Sequence, residues 1–313
     1  MSRFYRPPPP RSVRHALDRN HHQQHRAPVV RYVSAQGVGL ALLGIVSIQS
    51  GQALAKIAFP LAGPLPIAAL RFGLGAMILL LLWRPRLPTH RPTQLAIIAL
   101  GTSLAGLNVF IYLAFARLPL GLATTLQFLG PLAISLSGSR RRLHAVWALL
   151  SALGVMVVVG DPTGSISATG VAFALISAVC MGAYILLSAE VGARTRGGTG
   201  LALATAWAAL LTIPLGIGAD PAALTHGPVL AAGLAVAILS TVLANSFELH
   251  ALRKLPASVF AVLVSLEPAI AALAGLVLLS EHLTVWQWFA IGCIVTASIG
   301  ATRTHNRTPG SLR

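Results

Sequence analysis

Between residues 35 and 302 the chain is a succession of long apolar runs separated by short polar or Pro/Gly breaks. Ten runs predict ten helices, over residues 35–56, 64–83, 94–115, 119–138, 143–160, 169–188, 199–218, 228–251, 257–279 and 283–302. Each is close to the ~20 residues that a helix needs to cross the hydrocarbon of a bilayer. The separating breaks include Arg84 to Pro92, Ser139 to Arg142, Asp161 to Ser167, Arg194 to Gly198 and Asp220 to Gly227. Trp83, Trp147, Trp286 and Trp288 fall near predicted span ends, as an aromatic belt at the membrane interfaces requires, whereas Trp207 lies deeper.

The runs are organised as a duplication. Asn108, Phe110, Leu118-Pro119, Pro131 and Gly138 recur as Asn245, Phe247, Leu255-Pro256, Pro268 and Gly275, at a constant offset of 137 residues and without a gap. Five spans per half is an odd number, so the halves enter the membrane in opposite directions. The expected fold is an all-α integral membrane protein of ten transmembrane helices, built as two inverted five-helix repeats over residues 34–160 and 161–302. Carriers of this kind hold their substrate at the seam between the halves and expose it to each side in turn.

Composition agrees with a lipid solvent. Charged residues make up 10% of the chain and hydrophobic ones 55%, with a mean hydropathy of +0.77. Soluble domains carry about 25% charged residues, so this chain could not cover its own surface in water. The net charge of +16 follows loop position and forms no aromatic-interleaved groove, which argues against a nucleic-acid partner. With the amino terminus in the cytoplasm, the inside collects Arg84, Arg86, Arg91, Arg140 to Arg142, Arg194, Arg196, Arg253, Lys254, Arg303, Arg307 and Arg313. The outside keeps Lys56 and Arg117, so both termini are expected in the cytoplasm.

Residues 1–33, with Pro7 to Pro10, seven arginines and His15, His21, His22 and His25, read as a disordered basic tail near anionic headgroups. The tail is too long and polar to be a cleavable leader. Residues 303–313 form a second cytoplasmic tail. Cys180 and Cys293 sit in apolar runs of different halves and read as packed free thiols. No phosphate loop, metal-ligand cluster or nucleophile elbow accompanies the spans, so neither an enzyme nor an ATP-driven pump is expected, and no cofactor or metal is assigned.

Several segments carry a family resemblance. They include Ser47-Ile48-Gln49-Ser50-Gly51 with Leu54-Ala55-Lys56, Ala69-Leu70-Arg71, Phe128 with Gly130-Pro131-Leu132, and Tyr184-Ile185-Leu186. Further on come Ile238-Leu239-Ser240-Thr241, Glu248, Leu255-Pro256, Glu267-Pro268-Ala269, and Glu281 with Leu283-Thr284. This ordered set, over roughly residues 40 to 302, resembles the EamA-type drug/metabolite transporter superfamily, and within it the bacterial inner-membrane exporters of threonine and homoserine. The resemblance implies a ten-helix multi-pass protein of the inner membrane that exports small amino acids by proton antiport. One departure is Gln127, where a glutamate is expected by resemblance.

Polar groups inside the spans are the candidate machinery, because a charge at mid-bilayer costs about 2.5–3.5 kcal/mol on insertion scales. Glu267, one of seven acids, lies near the middle of the ninth span. A carboxylate at that depth can couple protons or bind a substrate ammonium; the alternative is a hydrogen bond that fixes helix packing. Pro268 beside it, and Pro131 at the matching place in the fourth span, predict helix breaks. Arg71 can fork onto a substrate carboxylate, or snorkel to the interface. Gln49, Gln52, Asn108, Tyr112, Gln127 and Tyr184 are neutral polar groups at depth that can hold helices together, and all but Gln52 are candidates to line a substrate cavity. Glu248 and His250 are interfacial or form a secondary proton relay. Lys56 and Glu281 read as an interfacial cation and an outer-loop acid.

The expected function is a secondary carrier with a small-molecule substrate, protons and membrane lipids as partners, acting as a monomer or homodimer. A carrier for a different substrate class and a flippase for lipid-linked metabolites fit the same spans.

Overall fold

The computed structural model describes residues 34–137, 142–159, 166–195 and 197–305, and among these there are helices and turns but no strand. The tail over residues 1–33 and the segment from residue 306 onward lie outside the described residues. The helices are α1 (Ala35–Ala62), α2 (Pro64–Trp83), α3 (Arg91–Phe115), α4 (Leu120–Gln127), α5 (Leu129–Ser137), α6 (Arg142–Val159) and α7 (Ala168–Arg194). They continue with α8 (Thr199–Ala219), α9 (Gly227–Ala237), α10 (Ala244–Lys254), α11 (Ala257–Val264), α12 (Glu267–Leu279) and α13 (Val285–His305). A π-helical turn, Ile238–Leu243, joins α9 to α10.

Helix is the form hydrocarbon permits, because every backbone group is then bonded within its own segment. The ends carry local signals. Ser34 and Ser167 accept from Gly37 and Gly170 N–H at the starts of α1 and α7. Pro64, Pro92 and Pro228 occupy first turns, where a missing N–H goes unnoticed. Gly63, at φ +77°, makes the one-residue turn from α1 to α2. Among the described residues, eight helical stretches are long and apolar enough to cross a membrane; Leu120–Leu136 and Ala145–Val158 are shorter apolar stretches. Large apolar side chains face outward, Leu149, Val179 and Val277 among them, as a lipid-facing surface requires.

The packing interleaves the two halves of the sequence. α3 lies on α7 and α8, α2 on α8 and α9, α1 on α10 and α12, α4 on α12, and α6 on α13. Small residues set the spacing: Gly130 in α5 lies so close to the Ala178 carbonyl of α7 that a methyl group would collide with it.

Two expected spans are not continuous. The fourth divides into α4 and α5 at Phe128, the ninth into α11 and α12 at Ser265-Leu266. Pro131 and Pro268 lie just downstream of the breaks. Each lacks the N–H that would reach the carbonyl four residues earlier, so the upstream helices stop at Gln127 and Val264. The two breaks are twins: Pro119 and Pro256 cap the upstream helices at (−55°, 143°) and (−59°, 142°). Phe128 and Ser265 then end them at (−65°, −10°) and (−63°, −11°).

Lys56 and Glu281, expected as separate surface charges, meet in an ion pair. Trp207, the exception to the belt, is half-buried, and its indole N–H donates to Thr102 Oγ1 at 3.1 Å.

Candidate functional site

The breaks and the π-helical turn border a cavity of about 170 Å³. It brings together Gln49 from α1, Arg71 from α2, Asn108 from α3, Gln127 from α4, Tyr184 from α7 and Glu267 from the start of α12. Glu248 lines the same cavity from α10, on an exposed stretch of that helix. Tyr112 stands behind the lining, fully buried, and holds Arg71. His250 is outside the lining and exposed, with Nδ1 2.7 Å from the Ser246 carbonyl oxygen. Pro131 and Pro268 act on the backbone of the breaks and are not lining residues.

Arg71 is 6% exposed and belongs to no ion pair among the described residues. Its fork donates instead to the Tyr112 hydroxyl at 3.1 Å, to Thr241 Oγ1 at 3.5 Å and to the Ser240 carbonyl at 3.5 Å. The guanidinium also lies 5.7 Å from the Tyr112 ring centroid and 5.8 Å from that of Phe72. The π-helical turn explains the contact with the Ser240 carbonyl, and a parallel one from Ser47. Widening a helix by one residue loosens its carbonyls. Ser47 Oγ bonds the Leu239 carbonyl at 2.8 Å, and Arg71 takes the next one.

Gln127, the last residue of α4, donates from Nε2 to Ser177 Oγ at 2.7 Å, and Ser177 donates onward to the Leu107 carbonyl at 2.7 Å. One chain of hydrogen bonds thus ties α4, α7 and α3. Asn108 donates to the Leu104 carbonyl at 3.0 Å. Among the described residues the ion pairs are Lys56–Glu281 and Arg194–Glu190, so neither Glu248 nor Glu267 is neutralised by a protein cation within 4 Å. No three His, Cys, Asp or Glu side chains among the described residues gather as metal ligands would.

Reasoning from polar residues at depth does not single out Ser240, Thr241 or Ser177. A hydroxyl in an apolar helix ordinarily bonds its own i−4 carbonyl, so its presence carries no signal until a neighbouring helix meets it. Gly51 is the nearest sequence clue to Ser240, because a residue without a side chain on α1 is what lets the π-helical turn approach.

Comparisons with known proteins agree with this architecture. Residues 168–303 match the EamA-like transporter family. The threonine/homoserine exporter RhtA of Escherichia coli (strain K12) is 41% identical over 268 residues, 85% of this chain and 90% of that protein. The exporter of the same name from Salmonella typhimurium (strain LT2) is 40% identical over 271 residues, 86% of this chain and 92% of the relative. One solved crystal structure, 23% identical, aligns with a TM-score of 0.58 over 84% of this chain and 98% of its own, and bears on the fold alone. On identity sustained across most of its length, and on the family match in its second half, this chain belongs to the EamA-like family of membrane transporters.

Proposed function

We propose that this protein exports small amino acids of the threonine and homoserine kind across the bacterial inner membrane by alternating access, in exchange for protons. The observation that carries the reading is Arg71: a buried guanidinium without a counter-ion among the described residues, sharing one cavity with the carboxylates Glu267 and Glu248. A cation in a dry site is costly unless an anion meets it, and an amino-acid zwitterion brings a carboxylate for Arg71 and an ammonium for the acids. The cavity size supports a small solute, since drug-sized ligands occupy clefts of about 300–1,000 Å³. Glu267 opens α12 beside a broken backbone, where an incoming proton and a substrate ammonium compete for the same carboxylate.

Alternating access is supported by the twin breaks and by the packing. Counting the two shorter apolar stretches as crossings gives ten. Exchanging the halves then carries the contact of α3 with α7 onto that of α10 with α1, and the contacts of α2 with α8 and α6 with α13 onto themselves. Such a relation is expected of an inverted repeat. The loop charges favour both termini in the cytoplasm; in that orientation the Lys56–Glu281 pair lies at the outer end and the cavity reaches Glu248 towards the inner one.

The test is uptake of labelled threonine and homoserine into inverted membrane vesicles, with and without an imposed proton gradient. Gradient-driven accumulation is expected, and Glu267→Gln should abolish its dependence on the gradient. Full coupling in that variant would remove Glu267 from the mechanism; no accumulation above control vesicles would remove the substrate assignment.

A further inference from the structure

Among the described residues, the buried side-chain polar atoms without a hydrogen-bond partner are Gln49 Oε1, Gln52 Oε1 and Ser240 Oγ. Their residues are 1%, 7% and 3% exposed, and all three line the cavity. Buried polar groups are nearly always paired, so three orphans in a single place form a set. Gln49 and Gln52 are three residues apart and share a face of α1. Ser240 faces the same stretch: a side chain on Gly51 would run into its hydroxyl.

An amide oxygen can only accept, so two of the three require a donor that the described residues do not supply. The Arg71 fork is already turned to Tyr112, Thr241 and the Ser240 carbonyl. A substrate ammonium is better served by Glu267 and Glu248, because charge-assisted bonds are roughly twice as strong as neutral ones. What remains of a small amino acid is its side chain. The geometry points to Gln49, Gln52 and Ser240 as a subsite that reads a side-chain hydroxyl and selects hydroxyl-bearing amino acids over their methyl isosteres. A hydroxyl gives its proton to one glutamine oxygen and accepts from Ser240 or an amide N–H, and a methyl group can do neither. This assignment rests on the reading of the cavity as an amino-acid site.

The experiment is competition against labelled threonine uptake in inverted vesicles carrying the full chain, with unlabelled threonine and valine, and in parallel with homoserine and norvaline. Each pair exchanges a hydroxyl for a methyl at constant shape. The wild-type protein is expected to prefer the hydroxyl member by at least about tenfold, since a site built for a hydroxyl rejects the analogue that lacks it. Gln49→Leu, Gln52→Leu and Ser240→Ala should each move that ratio towards unity. Valine competing as well as threonine in the wild type overturns the inference, needs no variant to fold, and leaves the exporter assignment standing. A ratio unchanged in all three variants, or equal weakening of both solutes, overturns it as well, because a merely structural role affects both alike. Absence of threonine uptake overturns the exporter assignment and the subsite together.

Discussion

Lys56 Nζ stands 2.6 Å from Glu281 Oε1, and each partner also holds a backbone group next to the other. The same ammonium donates to the Leu118 carbonyl at 2.6 Å, and Glu281 Oε2 accepts from the Leu120 N–H at 2.8 Å. One contact thus fastens α1, the turn between α3 and α4, and the connection from α12 to α13.

The fastening has a polarity that a simple ion pair lacks. Lys56→Met is expected to lose about 1.5–3 kcal/mol, the range for hydrogen bonds to charged groups, seen as a lowered melting temperature in detergent. Exchanging the charges in a Lys56→Glu/Glu281→Lys double variant should not restore stability. A carboxylate would then face the Leu118 carbonyl and an ammonium the Leu120 N–H. Full recovery would show that the backbone bonds contribute nothing.

Arg71 depends on its planar fork. Arg71→Lys keeps the charge but cannot reach Tyr112, Thr241 and the Ser240 carbonyl together, and the KM for threonine should rise about tenfold. Tyr112→Phe removes a single hydrogen bond and should raise KM roughly fivefold, or about 1 kcal/mol. Unchanged KM values in both would sink the carboxylate role.

Gln127→Glu reverses one link in a chain that has a single direction. Ser177 gives its only proton to the Leu107 carbonyl and receives one from Gln127. A carboxylate can only accept, so two acceptors would compete for that proton. Stability should fall by about 1–3 kcal/mol at neutral pH, the penalty for an unsatisfied buried group. It should recover on acidification, when the new carboxyl takes a proton and donates again. Melting curves across pH measure this; a variant as stable as the wild type at every pH would refute it.

Pro268→Ala returns an N–H that can reach the Val264 carbonyl. The expected result is a stable protein, with a melting temperature equal to or above that of the parent, whose transport rate falls about tenfold, or 1.4 kcal/mol. Undiminished transport would mean that the break in the ninth span is dispensable.

Much of the architecture is legible in the sequence because lipid imposes it: a run such as Pro64–Trp83 has one stable form in hydrocarbon, and its ends are written in Gly63 and Arg84. Gln49, Arg71, Asn108, Gln127, Tyr184, Glu248 and Glu267 stand out because polar atoms are conspicuous in such runs, and the fold brings them to one cavity. The position of each break is harder to read. Proline acts on the carbonyl four residues before it, so the helix ends at Gln127 or Val264 and not at the proline. The π-helical turn at Ile238–Leu243 has no composition of its own and depends on partners from α1 and α2. The pairing of Lys56 with Glu281 is a tertiary event between residues far apart in sequence.

The duplication is close in backbone yet unequal in chemistry. The repeat places Gly130, packed against the Ala178 carbonyl, where the other half has Glu267. It places the regular helix of residues 101–106 where the other half has the π-helical turn. If the halves trade conformations during transport, the two end states are therefore not mirror images and cannot be equal in free energy. The empty carrier then has a resting side, and under the proposed antiport a proton gradient would act on an equilibrium already tilted by the sequence.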